Sequence, residues 1–227
     1  RHVYGQQGCM KDIFPFENEI PAAMLVGIPV ASKNYLRNGR VDHWRGPFRE
    51  VQSPILVRTS TGLSQKRIGY VPSMDEEASL NILREARGAF DNGTGEWIAM
   101  STGERIERFN AFLGVLESAR EEIVRLLQWE IGKTARESQN EFDRAVSYAR
   151  SCFERASEYT QAKGSIIEKN GISGRLERSP RGTVLVMGPF NYPLFETMSA
   201  LAPALLSGNT VIIKPPRLGC LLFQHIL

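Results

Sequence analysis

The stretch Thr183-Val184-Leu185-Val186-Met187-Gly188-Pro189-Phe190-Asn191-Tyr192-Pro193, read together with the residues from there to Lys214-Pro215-Pro216, decides the fold. Thr183 to Met187 is a continuous run of strand length, which predicts a strand buried on both faces, as in a parallel sheet. Gly188 to Pro193 breaks the pattern and reads as a loop. Leu194 to Ser207 reads as a helix with a bend near Pro203 and a stop at Gly208-Asn209. Thr210-Val211-Ile212-Ile213 is a second buried strand, closed by Lys214-Pro215-Pro216. Strand, helix and strand within about 30 residues form a βαβ unit with a right-handed crossover. Ligands of such sheets sit outside the carboxyl ends of the strands, which selects two loops, Gly188–Pro193 and Lys214–Arg217.

Working outward, Ser165-Ile166-Ile167-Glu168 and Gly174-Arg175-Leu176-Glu177-Arg178 alternate as hairpin or edge strands do. Before them lies a helical block. Ser101-x-x-Glu104, Ser118-x-x-Glu121 and Thr134-x-x-Glu137 are N-terminal capping boxes. Behind them apolar residues recur at helical spacing: Ile106, Phe109, Phe112, Leu113 and Leu116, then Ile123, Leu126 and Leu127, then Phe142, Val146 and Ala149. An earlier helix is expected around Ala78 to Phe90. Further back, Ile55-Leu56-Val57 and Arg67-Ile68-Gly69-Tyr70-Val71 read as strands around the turn Thr59-Ser60-Thr61-Gly62. Residues 1–32, with Pro15, Pro21 and Pro29, read as an extended or poorly ordered lead.

Charge follows the same division: residues 1–72 carry net +5, residues 73–163 net −5 and residues 164–227 net +3. The total of +3 over 227 residues gives no strong attraction to nucleic acid or a membrane surface. The apolar stretch Ala22 to Val30 is far shorter than the roughly 20 residues of a membrane span, and no basic segment precedes it as in a secretory signal. Cys9, Cys152 and Cys220 are too few for a disulfide scaffold and fit a reducing, cytoplasmic setting. His2, His43 and His225 are widely spaced and form no metal-binding pattern, so no metal is expected.

Each selected loop offers chemistry and a plainer alternative. Asn191, a side-chain amide between two prolines, can donate to a developing oxyanion or simply close a turn. Lys214, directly after a strand, can hold a phosphate or ribose or stand solvated at the strand end, and Arg217 adds a second cation. Arg144 on the last helix of the block has Glu141 three residues before it, so a surface ion pair is its simplest reading. Neither G-x-G-x-x-G nor G-x-x-x-x-G-K-[ST] occurs, so these phosphate-binding fingerprints are absent.

Residues Pro180–Leu194 and Ala202–Pro215 resemble the aldehyde dehydrogenase superfamily, and weaker similarity runs back to about Tyr35 through the Asn38-Gly39 turn and Ser53-Pro54-Ile55. Within it the chain is most similar to the NADP-dependent, non-phosphorylating glyceraldehyde-3-phosphate dehydrogenases. The features that carry this are Phe190-Asn191-Tyr192, Lys214-Pro215-Pro216, and Trp129-Glu130-Ile131-Gly132-Lys133 through Glu141-Phe142-Asp143-Arg144.

The resemblance implies an α/β fold: a helical layer, the start of an open parallel Rossmann-type sheet, and an antiparallel oligomerisation arm at 165–179. It divides the chain into an extension (1–32) and the N-terminal part of a cofactor-binding domain (33–227), with the catalytic domain absent. It implies oxidation of an aldehyde, glyceraldehyde 3-phosphate to 3-phosphoglycerate, with NADP (NAD as the alternative) through a cysteine thiohemiacetal and thioester. Asn191 matches the side-chain donor of the oxyanion hole, Tyr192 and Arg144 match residues holding the substrate's phosphate, and Pro189, Phe190 and Lys214 match cofactor-binding residues. Arg217 stands where NAD-preferring relatives place a glutamate; arginine attracts a 2′-phosphate that a carboxylate repels. The family's nucleophilic cysteine and general-base glutamate have no counterpart here. The chain therefore reads as the inactive N-terminal half of an enzyme about twice as long, with Arg1 instead of Met as its first residue. A full-length protein would form a dimer or tetramer. The alternatives are another aldehyde dehydrogenase, such as a semialdehyde dehydrogenase, and a non-catalytic truncated remnant.

Overall fold

A computed structural model describes residues 13–26, 30–31, 34–161, 166–175 and 179–225. Cys9 and His2, with half of the expected lead, and Ser165 and Leu176–Arg178 of the alternating stretch lie outside the described residues. In chain order the elements are β1 (Val30–Ala31), β2 (Asn34–Arg37), β3 (Arg40–His43), β4 (Phe48–Thr59), β5 (Gly62–Pro72), α1 (Glu76–Phe90), α2 (Glu96–Ala99), α3 (Thr102–Ser118), α4 (Arg120–Ile131), α5 (Ala135–Gln161), β6 (Ile166–Lys169), β7 (Ile172–Arg175), β8 (Thr183–Met187), α6 (Pro193–Leu206) and β9 (Thr210–Lys214).

β4 and β5 form a long antiparallel hairpin, and β1 adds to β5 in parallel. The pairing slips between Gln52 and Leu56. Pro54 at this point has no N–H for the ladder, and the Ser53 hydroxyl turns inward to donate to the Trp129 carbonyl (2.5 Å) while accepting from Ile55 N (3.0 Å). This bulge ties the hairpin to the end of α4. Residues 13–26 lie along the same hairpin rather than trailing from it. Arg58 N donates to the Pro15 carbonyl (2.9 Å), Trp129 Nε1 donates to the Met24 carbonyl (2.6 Å), and Val26 is buried. An edge strand and an indole N–H both need partners, and this segment supplies them.

The helical layer follows its apolar spacing. Phe109, Leu113, Leu116, Ile123, Leu126, Leu127, Phe142, Val146 and Ala149 are all buried in one core, with Ile106 and Phe112 packed against it. Burying each large side chain contributes about 1.5–3 kcal/mol. Two of the capping boxes form. Ser101 Oγ accepts from Glu104 N (3.2 Å) while Glu104 accepts from Ser101 N (2.7 Å), and Thr134 and Glu137 exchange the same pair of bonds. The box expected at Ser118 does not form. The chain passes from α3 into α4 through Ala119 (φ −90°, ψ 8°), without the extended residue that a capping box needs, and the Ser118 hydroxyl donates back to Val115 O (2.7 Å).

β8 and β9 pair in parallel, from Thr183 opposite Thr210 to Met187 opposite Lys214, with α6 as their crossover. The expectation that both strands are buried on both faces is overturned. Val186, on the α6 side, is 2% exposed, whereas Leu185 and Met187 are 56% and 64% exposed. α1 covers the other face only at its start, where Thr210 Oγ1 donates to the Ala86 carbonyl (2.9 Å). The apolar run therefore reports what the strands are made of, not what covers them in this chain. α6 continues through Pro203 and ends before Gly208, whose φ of +91° suits glycine. β6 and β7 form a separate hairpin around Asn170-Gly171, with every strand residue exposed. No helix among the described residues is long and apolar enough to cross a membrane.

Candidate functional site

The loop after β8 is set by three local constraints. Gly188 packs so closely on α6 that a Cβ there would collide with Thr197 Oγ1. Pro193 occupies the first turn of α6, where its missing N–H costs nothing. The next two amides, Leu194 N and Phe195 N, donate to Glu141 Oε1 (2.9 and 3.2 Å), a buried carboxylate reaching across from α5. A negative charge at a helix N-terminus satisfies the free donors and complements the helix dipole. Between Gly188 and Pro193, the side chains of Phe190, Asn191 and Tyr192 stay exposed. Among the described residues no side-chain hydrogen bond engages Asn191, so its amide is free to donate outward.

Glu141 also takes Lys133, whose ammonium lies 3.8 Å from the centre of the Tyr192 ring. The ion pair expected between Arg144 and Glu141 is therefore not formed. Glu141 is turned inward to α6 and Lys133, while the exposed Arg144 lays its guanidinium over the Phe195 ring at 4.2 Å, one helical turn beyond Tyr192. Arg144, Lys133 and Tyr192 thus gather on one flank of the first loop.

The second loop is held from below. Lys214 and Arg217 are exposed, and the Arg217 carbonyl accepts from Arg49 Nη2 (2.9 Å). Glu130, fully buried at the end of α4, accepts from Cys220 N (2.8 Å) and Leu221 N (3.0 Å). Burial pushes the Glu130 carboxyl up, and its hydrogen bonds with Cys220 and Leu221 act the opposite way. Gly219 (φ +82°) comes so near Pro193 that a Cβ would stand 2.6 Å from Pro193 Cβ. The two loops therefore meet at one point, with Pro189, Phe190, Asn191 and Tyr192 in one and Lys214 and Arg217 in the other.

Both described cysteines sit where burial raises the thiol. Burial raises the Cys152 thiol above its ordinary value. Cys220 is pushed up strongly, by burial first and then by Glu130 beside it. Cys220 precedes a short 3₁₀ turn, Leu221–His225. Sequence reasoning missed Glu130, Glu141 and Lys133 as parts of the site. The signal was present for the two glutamates: each falls at a position whose helical neighbours, Leu126, Leu127, Phe142 and Ala145, are core residues.

The sequence profile described as "Aldehyde dehydrogenase family" matches residues 51–227. The NADP-dependent glyceraldehyde-3-phosphate dehydrogenase of Streptococcus equinus is 30% identical over 197 residues, 82% of this chain and 37% of that protein. The N-succinylglutamate 5-semialdehyde dehydrogenase of Legionella pneumophila is 34% identical over 119 residues, 52% of this chain and 24% of that protein. The crystal structure of the NADP-dependent glyceraldehyde-3-phosphate dehydrogenase of Bacillus halodurans complexed with NADP matches with a TM-score of 0.69 at 25% identity, covering 86% of this chain and 40% of that one. An aldehyde dehydrogenase of Brucella melitensis biovar abortus shares the fold, with a TM-score of 0.73 at 24% identity over 89% of this chain and 40% of that one. The chain thus spans well under half the length of these relatives, and the matched region contains both strand-end loops. By its profile match and its similarity over most of its length, the chain belongs to the aldehyde dehydrogenase family.

Proposed function

We propose that this chain contributes the oxyanion donor and part of the NADP and substrate sites to an enzyme that oxidises glyceraldehyde 3-phosphate to 3-phosphoglycerate. The observation that carries the reading is Asn191: an exposed amide with no side-chain partner among the described residues, on the loop at the carboxyl end of β8, beside the strand end that bears Lys214 and Arg217. A rigid amide there stabilises negative charge on an aldehyde oxygen under attack without reorganising. NADP, when bound, supplies the hydride acceptor. Lys214 and Arg217 fit its phosphorylated ribose, since both cations are exposed at the carboxyl end of β9. Tyr192 and Arg144 line the flank that takes the substrate's phosphate. Burial raises the thiols of Cys152 and Cys220, so this reading assigns the attacking thiolate to neither of them.

The test uses the protein as its own cell makes it. Intact mass comes first: a mass near twice 25.5 kDa supports the longer enzyme, and a mass near 25.5 kDa supports a non-catalytic remnant. In an active protein, kcat/KM with NADP above that with NAD is expected, and a preference for NAD overturns the cofactor assignment. Arg144→Ala raises KM for a phosphorylated aldehyde and spares an unphosphorylated one.

The second reading is a semialdehyde dehydrogenase. It is supported by the similarity to the Legionella pneumophila enzyme and by the exposed Arg144, which suits a carboxylate tail as well as a phosphate. Equal turnover of phosphorylated and carboxylated aldehydes favours it. The exposed β6–β7 hairpin, carrying Ile166, Ile167 and Ile172 in the open, serves in either case as an oligomerisation arm; sedimentation of Ile172→Lys tests it, with dissociation expected.

A further inference from the structure

Glu130 and Glu141 stand on either side of the turn at Gly132 (φ +78°), one ending α4 and one opening the second turn of α5. Both are buried to the same degree as the leucines around them. A carboxylate in such a place is strongly unfavourable unless its oxygens are bonded, and an apolar residue would fill the core equally well. Both carboxylates spend their oxygens on backbone amides, and those amides belong to the two strand-end loops. Glu130 grips Cys220 and Leu221, three and four residues after Arg217, while Arg49 holds the Arg217 carbonyl. Glu141 grips Leu194 and Phe195, two and three residues after Tyr192, and its other oxygen fixes Lys133 against the Tyr192 ring.

We infer that Glu130 and Glu141 are positioning residues, each clamping the backbone of one loop so that the side chains on it stay in place. The clamps are read from geometry alone; the roles of the side chains they position rest on the proposed aldehyde oxidation. Glu130 sets the reach of Lys214 and Arg217 toward the nucleotide. Glu141 fixes Tyr192 twice, through the helix start after it and through the ammonium over its ring. Each clamp bonds the backbone of a different loop, so releasing one loosens that loop only.

The test is an isosteric change. Glu130→Gln and Glu141→Gln keep the side-chain shape, but an amide offers one acceptor oxygen and turns a donor toward a donor. Hydrogen–deuterium exchange on this chain is expected to speed up in residues 215–221 for Glu130→Gln and in 192–197 for Glu141→Gln, with α3 and the β4–β5 hairpin unchanged. Titration with NADP is expected to show Kd raised about tenfold in Glu130→Gln, the equivalent of one lost hydrogen bond to a charged group. Exchange that rises evenly through the core, or not at all, overturns the clamps. A loosened loop with unchanged NADP affinity overturns the positioning role. Local loosening in a chain whose unaltered form does not bind NADP supports the clamps and overturns the cofactor reading. If a variant does not fold, amide-resolved exchange in the unaltered chain decides: the N–H groups of 194, 195, 220 and 221 should be as protected as core amides, and fast exchange there overturns the inference.

Discussion

The two ends of α6 are held by side chains from the same helical layer and serve opposite purposes. At the N-terminal end Glu141 satisfies the free amides, and the residues just before it, Phe190, Asn191 and Tyr192, are left in the open. At the C-terminal end the last carbonyls are each bonded by a side chain. Arg105 Nε donates to the Leu206 carbonyl (3.0 Å) and its Nη1 to the Met100 carbonyl (2.6 Å), and Trp97 Nε1 donates to the Leu205 carbonyl (2.9 Å). Asn209 then accepts from Arg181 N and Gly182 N and donates to the Ala204 carbonyl, tying the helix end to the start of β8. Anion at the amino end and cation at the carboxyl end both complement the helix dipole. What differs is access: one end is anchored with the loop before it left open to solvent, and the other so that the unit holds together.

This contrast can be broken by substitution. The largest effect is expected from Asn191→Ala, which should lower kcat of the natural enzyme about 10²–10³-fold while changing stability by less than about 0.5 kcal/mol. A large loss of stability in urea denaturation would make Asn191 a structural residue instead. Arg105→Ala should do the reverse. It removes the Arg105 donor from the Leu206 carbonyl of α6 and from the Met100 carbonyl, and should cost about 3 kcal/mol in the same measurement, although burial lowers the arginine's own pKa and so offsets part of the benefit of keeping it. Asn209→Ala removes three bonds to backbone and should cost about 2 kcal/mol.

The smallest effect concerns the helical layer that carries both anchors. Backbone and side-chain bonds within the capping boxes hold the Glu104 and Glu137 carboxyls below their ordinary value of 4.5. A depressed folded-state pKa contributes stability above the unfolded value and loses it as pH falls through the folded one. Acidification below pH 4.5 should therefore loosen the starts of α3 and α5 slightly. Ser101→Ala should flatten that part of a circular-dichroism titration, and an unchanged profile would remove the boxes from the account.

Much of this was legible because it depends on neighbours in the chain. The βαβ unit, its two strand-end loops, the alternating stretch that forms the β6–β7 hairpin and the capping boxes at Ser101 and Thr134 follow from local spacing. The third box fails for a reason no local motif holds: the joint between α3 and α4 stays helical because both helices pack on one core. The same limit applies to Arg144. Its spacing from Glu141 is right for an ion pair, yet Glu141 has a better use in the buried amides of a helix more than fifty positions away.

The sequence by itself therefore determined the βαβ unit and its two strand-end loops, through short-range periodicity, while the resemblance of the residues around those loops pointed to the family. Only the tertiary structure decided which faces are covered and what holds the loops. Leu185 and Met187 read as core residues and stand exposed, because burial belongs to whatever packs on a strand. Glu141 reads as half of a surface ion pair and lies buried beneath the first loop, as Glu130 lies beneath the second, because a carboxylate becomes an anchor only when folding brings unpaired amides to it.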